Sequence, residues 1–239
     1  MDYFDIINKV CEAYSVTFNE EKYEKFKLYM KLLLEWNSKF NLTAITEEDE
    51  IIRKHFIDSI KIFEYSPLLH SGKVIDVGTG AGFPGIPMGI VNPELKITLL
   101  DSLNKRVGFL QEVISALDLK NTVAVHGRAE DYGKDSNYRE KYDFAVSRAV
   151  AHMSVLSEYC LPFVKISGSL VALKGPGVDE ELQEGEKAIK VMGGKLKTIV
   201  PVSIEGSELR HNLVVIDKVM STPAVYPRKA GTASKKPIK

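Results

Sequence analysis

The chain has 239 residues, 44% of them hydrophobic and 27% charged, so it carries enough apolar mass to bury a core and is no disordered polypeptide. Lysine plus arginine and aspartate plus glutamate number 32 each, which removes net charge as an argument for a nucleic-acid partner and leaves only the distribution of charge. Cys11 and Cys160 are too few and too far apart for a disulfide framework, no His/Cys spacing suits a metal, and no apolar run nears the roughly 20 residues of a membrane span, so a cytoplasmic protein without metal is expected.

Residues 20–64 carry Tyr23, Phe26, Tyr29, Met30, Leu33, Leu34 and Phe40 at three- and four-residue steps, with no glycine, which predicts helix. A second helical run, about 47–65, holds Ile51, Ile52, His55, Phe56, Ile60 and Phe63 before the stop at Ser66-Pro67. Residues 1–70 are thus expected to form a helical N-terminal unit. Beyond Gly72 the texture changes to β-branched runs, among them Val74-Ile75-Asp76-Val77, Ile97-Thr98-Leu99-Leu100, Val123-Ala124-Val125, Phe144-Ala145-Val146, Ser169-Leu170-Val171-Ala172-Leu173, Leu196-Lys197-Thr198-Ile199-Val200 and Leu213-Val214-Val215-Ile216. Helical stretches at 105–117, 155–163 and 180–192 separate several of them. This alternation predicts a doubly wound, Rossmann-like α/β domain over 71–220 with a mainly parallel sheet. Residues 221–239 hold three prolines, Arg228, Lys229, Lys235, Lys236 and Lys239, and no acid, and read as a basic tail.

The most informative stretch is Val77-Gly78-Thr79-Gly80-Ala81-Gly82-Phe83-Pro84-Gly85, a buried strand running into a glycine-rich loop at the edge of the sheet where nucleotides bind. Its G-x-G-x-x-G spacing suggests a dinucleotide site, yet Asp76 just before the loop suits a cationic amino-acid end better than a pyrophosphate, and Pro84 and Pro87 remove amides a phosphate would seek. Asp101 ends the next strand, 25 positions on, where an acid grips a ribose hydroxyl pair. Glu130 follows the third strand, in place to lie against a base. An adenosine with a cationic amino-acid tail is S-adenosylmethionine, and the sheet reads as a class I methyltransferase domain.

The chain resembles the GidB (RsmG) family, bacterial methyltransferases that modify N7 of a guanine in the 16S ribosomal RNA of the small subunit. The likeness rests on Leu33-Leu34-Glu35-Trp36-Asn37, Phe40-Asn41-Leu42-Thr43-Ala44-Ile45, His55-Phe56-Ile57-Asp58-Ser59, the glycine loop, Leu100-Asp101-Ser102, Gly127-Arg128-Ala129-Glu130, Ser147-Arg148-Ala149-Val150-Ala151, Lys174-Gly175 and Pro227-Arg228-Lys229-Ala230-Gly231-Thr232. It implies that Gly78, Phe83, Asp101, Ala129, Glu130 and Arg148 line the cofactor site, with Asp76 and Gly80 added by the loop reading. Phe83 is equally readable as a core aromatic.

Guanine N7 has a free lone pair, so attack on a sulfonium methyl needs alignment and no general base. Arg148 is the candidate for that alignment, holding guanine O6 or the cofactor carboxylate, with a structural ion pair as the other reading. Neither His55 nor His152 is read as catalytic. RNA contact falls to Arg228, Lys229, Lys235 and Lys236, with Arg53, Lys54, Lys105 and Arg106 as further candidates, and a monomer is expected. The competing readings are a methyltransferase for a small molecule or protein, a nicotinamide-dependent oxidoreductase on the same fold, and a non-catalytic ribosome-assembly module.

Overall fold

Alternation along the strands divides the buried residues between the two faces of one seven-stranded sheet in the computed structural model, which describes residues 3–204, 207 and 209–238. Val74, Leu99, Val146 and Val171 face one helical layer, while their neighbours Ile75, Leu100, Ala145 and Leu170 face the other. The strands are β1 (Gly72–Val77), β2 (Leu95–Asp101), β3 (Thr122–His126), β4 (Tyr142–Arg148), β5 (Val164–Lys174), β6 (Gly194–Ser203) and β7 (Arg210–Lys218). All seven coincide with the β-branched runs. Their order is β3-β2-β1-β4-β5-β7-β6. β1 to β5 are parallel, whereas β7 is antiparallel to both β5 and β6. Strand order reverses between β1 and β4, which opens a crevice at their carboxyl ends.

Before the sheet come α1 (Tyr3–Glu12), α2 (Glu20–Asn37), α3 (Glu48–Ile51) and α4 (Asp58–Ile60), with a π-helical stretch over Ile52–Ile57 joining the last two. Helix α1 falls where the sequence reading named no element, although Ile6, Ile7, Val10 and Cys11 make a buried stripe at helical spacing. Asn19 caps α2 by accepting from the Lys22 N–H at 3.0 Å. On α2 the buried residues Phe26, Tyr29, Leu32 and Leu33 pack into the same core as Phe56, Val74, Leu99 and Phe109, so the N-terminal helices share one hydrophobic interior with a face of the sheet. Each such fully buried side chain contributes about 1.5–3 kcal/mol.

Between and after the strands run α5 (Gly85–Val91), α6 (Asn104–Ala116), α7 (Ala129–Tyr132), α8 (Met153–Cys160), α9 (Val178–Val191) and α10 (Thr232–Lys235). Helices α5 and α6 cover the face that the N-terminal helices share; α8 and α9 cover the opposite one. Residues 221–238 lie against this second layer. The Arg139 guanidinium donates to the carbonyls of Thr222 and Tyr226, and the Arg228 guanidinium forms a bidentate pair with Glu158, which is itself fully buried on α8. The described part of the basic tail is therefore docked, and Arg228 anchors it; the expectation that Arg228 presents its charge to RNA gives way to this ion pair. Lys229, Lys235 and Lys236 remain exposed, and Lys239 lies outside the described residues.

Candidate active site

A cavity of about 530 Å³ opens at the carboxyl ends of β1, β2 and β4, the crevice where strand order reverses. Gly78, Thr79, Gly80 and Ala81 form its floor, Asp101 to Leu103 and Arg106 one side, Arg148 to Val150 another, and His55 with Leu42 and Thr43 reach in from the N-terminal helices.

The floor is backbone held by a buried carboxylate. Asp76 Oδ2 accepts from Thr79 Oγ1 at 2.6 Å and from the Gly85 N–H at 2.9 Å, cinching the loop at both ends. A Cβ on Gly85 would stand 2.9 Å from that oxygen and 2.3 Å from Leu99 Cδ2, so this close approach requires glycine. Gly78 is needed for another reason: its φ of +71° lies in the left-handed region, and a Cβ there would meet Val150 Cγ2 at 2.8 Å. From below, Tyr29 Oη donates to the Ala81 carbonyl at 2.5 Å, so α2 supports the loop directly. Burial pushes the Asp76 carboxyl up to about 6, against the pull of Thr79 and Gly85. Asp76 Oδ1 is the buried side-chain polar atom without a hydrogen-bond partner among the described residues. Being fully buried, Asp76 acts on the cavity through its field and does not line it, which corrects its reading as a direct grip on the amino-acid end of a ligand.

Asp101 borders the cavity with both oxygens fixed, Oδ2 accepting from the Gly80 N–H and Oδ1 from the Leu103 N–H, each at 2.9 Å. Arg106 Nη1 lies 3.5 Å from Oδ2, so the residue weighed as an RNA contact stands beside the expected ribose acid. The other candidate on that helix, Lys105, sits over the Phe40 ring at 4.8 Å. Arg53 and Lys54 pair along their own helix with Asp49 and Glu50.

Ala129 and Glu130 are not brought to the cavity wall. Glu130 is buried, and its Oε1 accepts from the Gly231 N–H at 2.8 Å, tying the tail to α7. Proximity in sequence to the third strand end suggested a base contact; the bond to Gly231, 101 positions away, is invisible at that range.

Arg148 sits at the centre of the opposite wall. Its Nη1 donates to Asp58 Oδ2 at 2.8 Å and to the Lys54 carbonyl at 3.0 Å, and its guanidinium stacks 4.8 Å above the Phe83 ring. Asp58 is 1% exposed and bridges onward to His211 Nδ1 at 2.6 Å. Burial raises the Asp58 carboxyl, but His211 and Arg148 outweigh it and hold the group below the ordinary carboxylate range. The hydrogen bond to Asp58 in turn raises His211. Arg148 thus has its structural ion pair and borders the cavity as well.

His55, set aside in the sequence reading, is part of this wall: it stacks on Phe83 at 4.5 Å and lies 3.2 Å from Arg148 Nη2. Burial and the neighbouring Arg148 charge lower it to about 4, so the ring is neutral at ordinary pH. The π-helical turn over Ile52–Ile57 is what brings Lys54, His55 and Asp58 to one arginine, and such widened turns concentrate at functional sites. His152, by contrast, is a surface residue bonded to Ser154 Oγ at 3.1 Å. Among the described residues no group of His, Cys, Asp and Glu could hold a metal ion, and no helix is long and apolar enough to cross a membrane.

Left-handed glycine at Gly78, an aligned acid at Asp101 and an unpartnered buried carboxylate oxygen at Asp76 fit a cationic nucleoside better than a pyrophosphate. Residues 22–212 match the family model GidB, described as rRNA small subunit methyltransferase G. The Ribosomal RNA small subunit methyltransferase G of Clostridium perfringens (strain 13 / Type A) is 55% identical over 239 residues, which is 100% of each chain. Among solved structures, a SAM dependent methyltransferase from Aquifex aeolicus superimposes with a TM-score of 0.52 at 21% identity, covering 71% of this chain and 93% of that one. M. jannaschii TYW2 in complex with AdoMet gives 0.51 at 16%, covering 68% and 77%.

Proposed function

From the membership of this chain in the GidB family, rRNA small subunit methyltransferase G, we propose that the cavity takes S-adenosylmethionine and a guanine of 16S ribosomal RNA, and that the methyl group passes to guanine N7. The chain is an S-adenosylmethionine-dependent rRNA methyltransferase. When bound, the cofactor supplies an electrophilic methyl on a sulfonium. Gly78 and Gly80 let it approach backbone, Asp101 holds the ribose hydroxyls, and the Asp76 charge favours the cationic end. Phe83 and Arg148 form the wall against which the purine is aligned.

The single observation that carries the N7 assignment is a wall built to orient, with the Arg148 guanidinium stacked over the Phe83 ring. His55 stacks on the same ring with Arg148 at its Nδ1, so it braces that wall. Nitrogen-7 loses no proton on methylation, so orientation suffices. Exposed Lys229, Lys235 and Lys236 at the docked tail supply phosphate contacts, with Arg228 as their anchor. Action on the small subunit places the protein in the cytoplasm, and the chain works as a monomer.

The test is transfer of labelled methyl to small subunits lacking the modification, followed by mass-spectrometric mapping. Label on guanine N7 is the expected result, with turnover falling steeply as salt rises. Label on a protein or small molecule, at a salt-insensitive rate, overturns the reading.

A further inference from the structure

The guanidinium of Arg148 fixes the direction of a hydrogen-bond chain that ends in the cavity. A guanidinium only donates, so Nη2, 3.2 Å from His55 Nδ1, requires a bare lone pair on that nitrogen. The Lys54 carbonyl, 3.1 Å from the same nitrogen, accepts from Arg148 Nη1, so with a lone pair on Nδ1 one guanidinium serves both groups. The Arg148 contact assigns the imidazole hydrogen to Nε2, pointing to Thr43 Oγ1, 2.8 Å away. The Ile45 N–H donates to the same oxygen at 3.1 Å. With two donors on its two lone pairs, Thr43 has no capacity left to accept, and its own hydrogen faces no acceptor among the described residues. Asn37 Oδ1 accepts from the Leu42 and Thr43 N–H groups at 2.8 and 2.9 Å and so holds this loop at the cavity's border.

A hydroxyl committed to donating is a one-way reader. Guanine presents a carbonyl, O6, beside N7, whereas adenine presents an amino group there. We propose that Thr43 is a specificity-determining residue whose hydroxyl donates to O6 of the target guanine, with His55 and Arg148 positioning it and N7 left free to react. This rests on the guanine-N7 reading of the cavity. A donor to O6 accepts guanine and meets adenine donor against donor, a mismatch that the site would reject.

The experiment is a cycle between protein and substrate. Unmodified small-subunit RNA is prepared with guanine, or with 2-aminopurine, which keeps N7 and the 2-amino group but lacks O6, at the mapped position. Each is methylated by the wild-type chain, Thr43→Val and Thr43→Ser. With guanine, T43V is expected to lower kcat/KM about tenfold, the loss of one hydrogen bond, while T43S stays within about twofold of wild type. With 2-aminopurine the wild type should drop by a similar factor and T43V should add little further loss. Calorimetry should find the Kd of S-adenosylmethionine unchanged in T43V. Additive losses in the cycle, a T43V rate equal to wild type, or a weakened cofactor Kd would each overturn the assignment to O6. A melting temperature for T43V close to wild type keeps misfolding out of the comparison. If the wild type itself labels no guanine, the functional reading falls first and takes this inference with it; wild-type turnover with a silent T43V sinks only Thr43.

Discussion

The glycine-loop wall of the cavity is made by backbone over one continuous segment, residues 76–85, cinched at both ends by Asp76, nine positions from Gly85, with Asp101 holding Gly80 between them. The wall opposite is held by groups that meet from four places: the Lys54 carbonyl and His55 ring on the π-helical turn, Asp58 beside them, Arg148 at the end of β4, and His211 on β7. Asp58 is 90 positions from Arg148 and 153 from His211. A backbone wall depends on which conformations its residues can adopt, whereas a side-chain wall depends on charges compensating one another. The two should therefore fail differently when a residue is changed.

The largest effect is expected from Asp58→Ala. It leaves Arg148 and His211 facing each other with their shared anion removed from a site that is 14% exposed at Arg148 and 1% at Asp58. Breaking a buried ion pair on one side costs about 3–5 kcal/mol, and urea denaturation reads it directly. A loss below about 1 kcal/mol would mean that the wall is not held electrostatically.

Gly78→Ala is the matching break in the other wall. Left-handed backbone costs a non-glycine residue about 1–2 kcal/mol, and the new Cβ would push into Val150 at 2.8 Å. The loop can relieve this by shifting where the cofactor lies, so calorimetric affinity for S-adenosylmethionine should fall about tenfold with only a modest loss of stability. An unchanged Kd would show that the Gly78 backbone does not contact the ligand.

This contrast also explains what could be read from the sequence. The seven strands and the glycine loop were legible because their signals are local, with β-branched runs such as Leu213-Val214-Val215-Ile216 and glycines where φ turns positive. Gly78, Phe83, Asp101 and Arg148, expected from the sequence to line one cofactor site, all border the same cavity. His55 was passed over since its partners, Thr43, Phe83 and Arg148, lie 12, 28 and 93 positions away, and nothing in a lone histidine announces them. The partners of Glu130 and Arg228 were hidden for the same reason. These partners, Gly231 and Glu158, are 101 and 70 positions distant and dock the tail.

The walls should also answer pH in different ways. Asp76 titrates at about 6 because burial opposes its charge, so its anionic form, which favours a cationic ligand, declines as pH falls through that value. Cofactor affinity should drop below pH 6 by up to about tenfold per unit, the limit for one coupled proton. Asp76→Asn should bind more weakly at neutral pH and show a flat profile across the same range. If the variant retained the wild-type slope, the coupled proton would belong to some other group.

The smallest effect concerns stability and sets two histidines of the same wall against each other. His55 is lowered to about 4, chiefly by burial and then by Arg148, so between about pH 4 and 6.5 the unfolded chain binds a proton that the folded chain refuses. Its contribution is therefore complete above pH 6.5 and is lost as pH falls. His211 is raised above 6.5 by its hydrogen bond to Asp58, and the sign reverses: its contribution is complete below pH 6.5 and fades as pH rises through the raised value. Replacing His211 with Gln keeps a donor for Asp58 but removes the titrating charge. The stability difference between wild type and H211Q, of order 1 kcal/mol at pH 6, should therefore shrink toward pH 8 in denaturant titrations. A difference that stayed constant over that range would mean that His211 stays protonated or acts only as a neutral donor, and that Arg148 alone compensates the Asp58 charge.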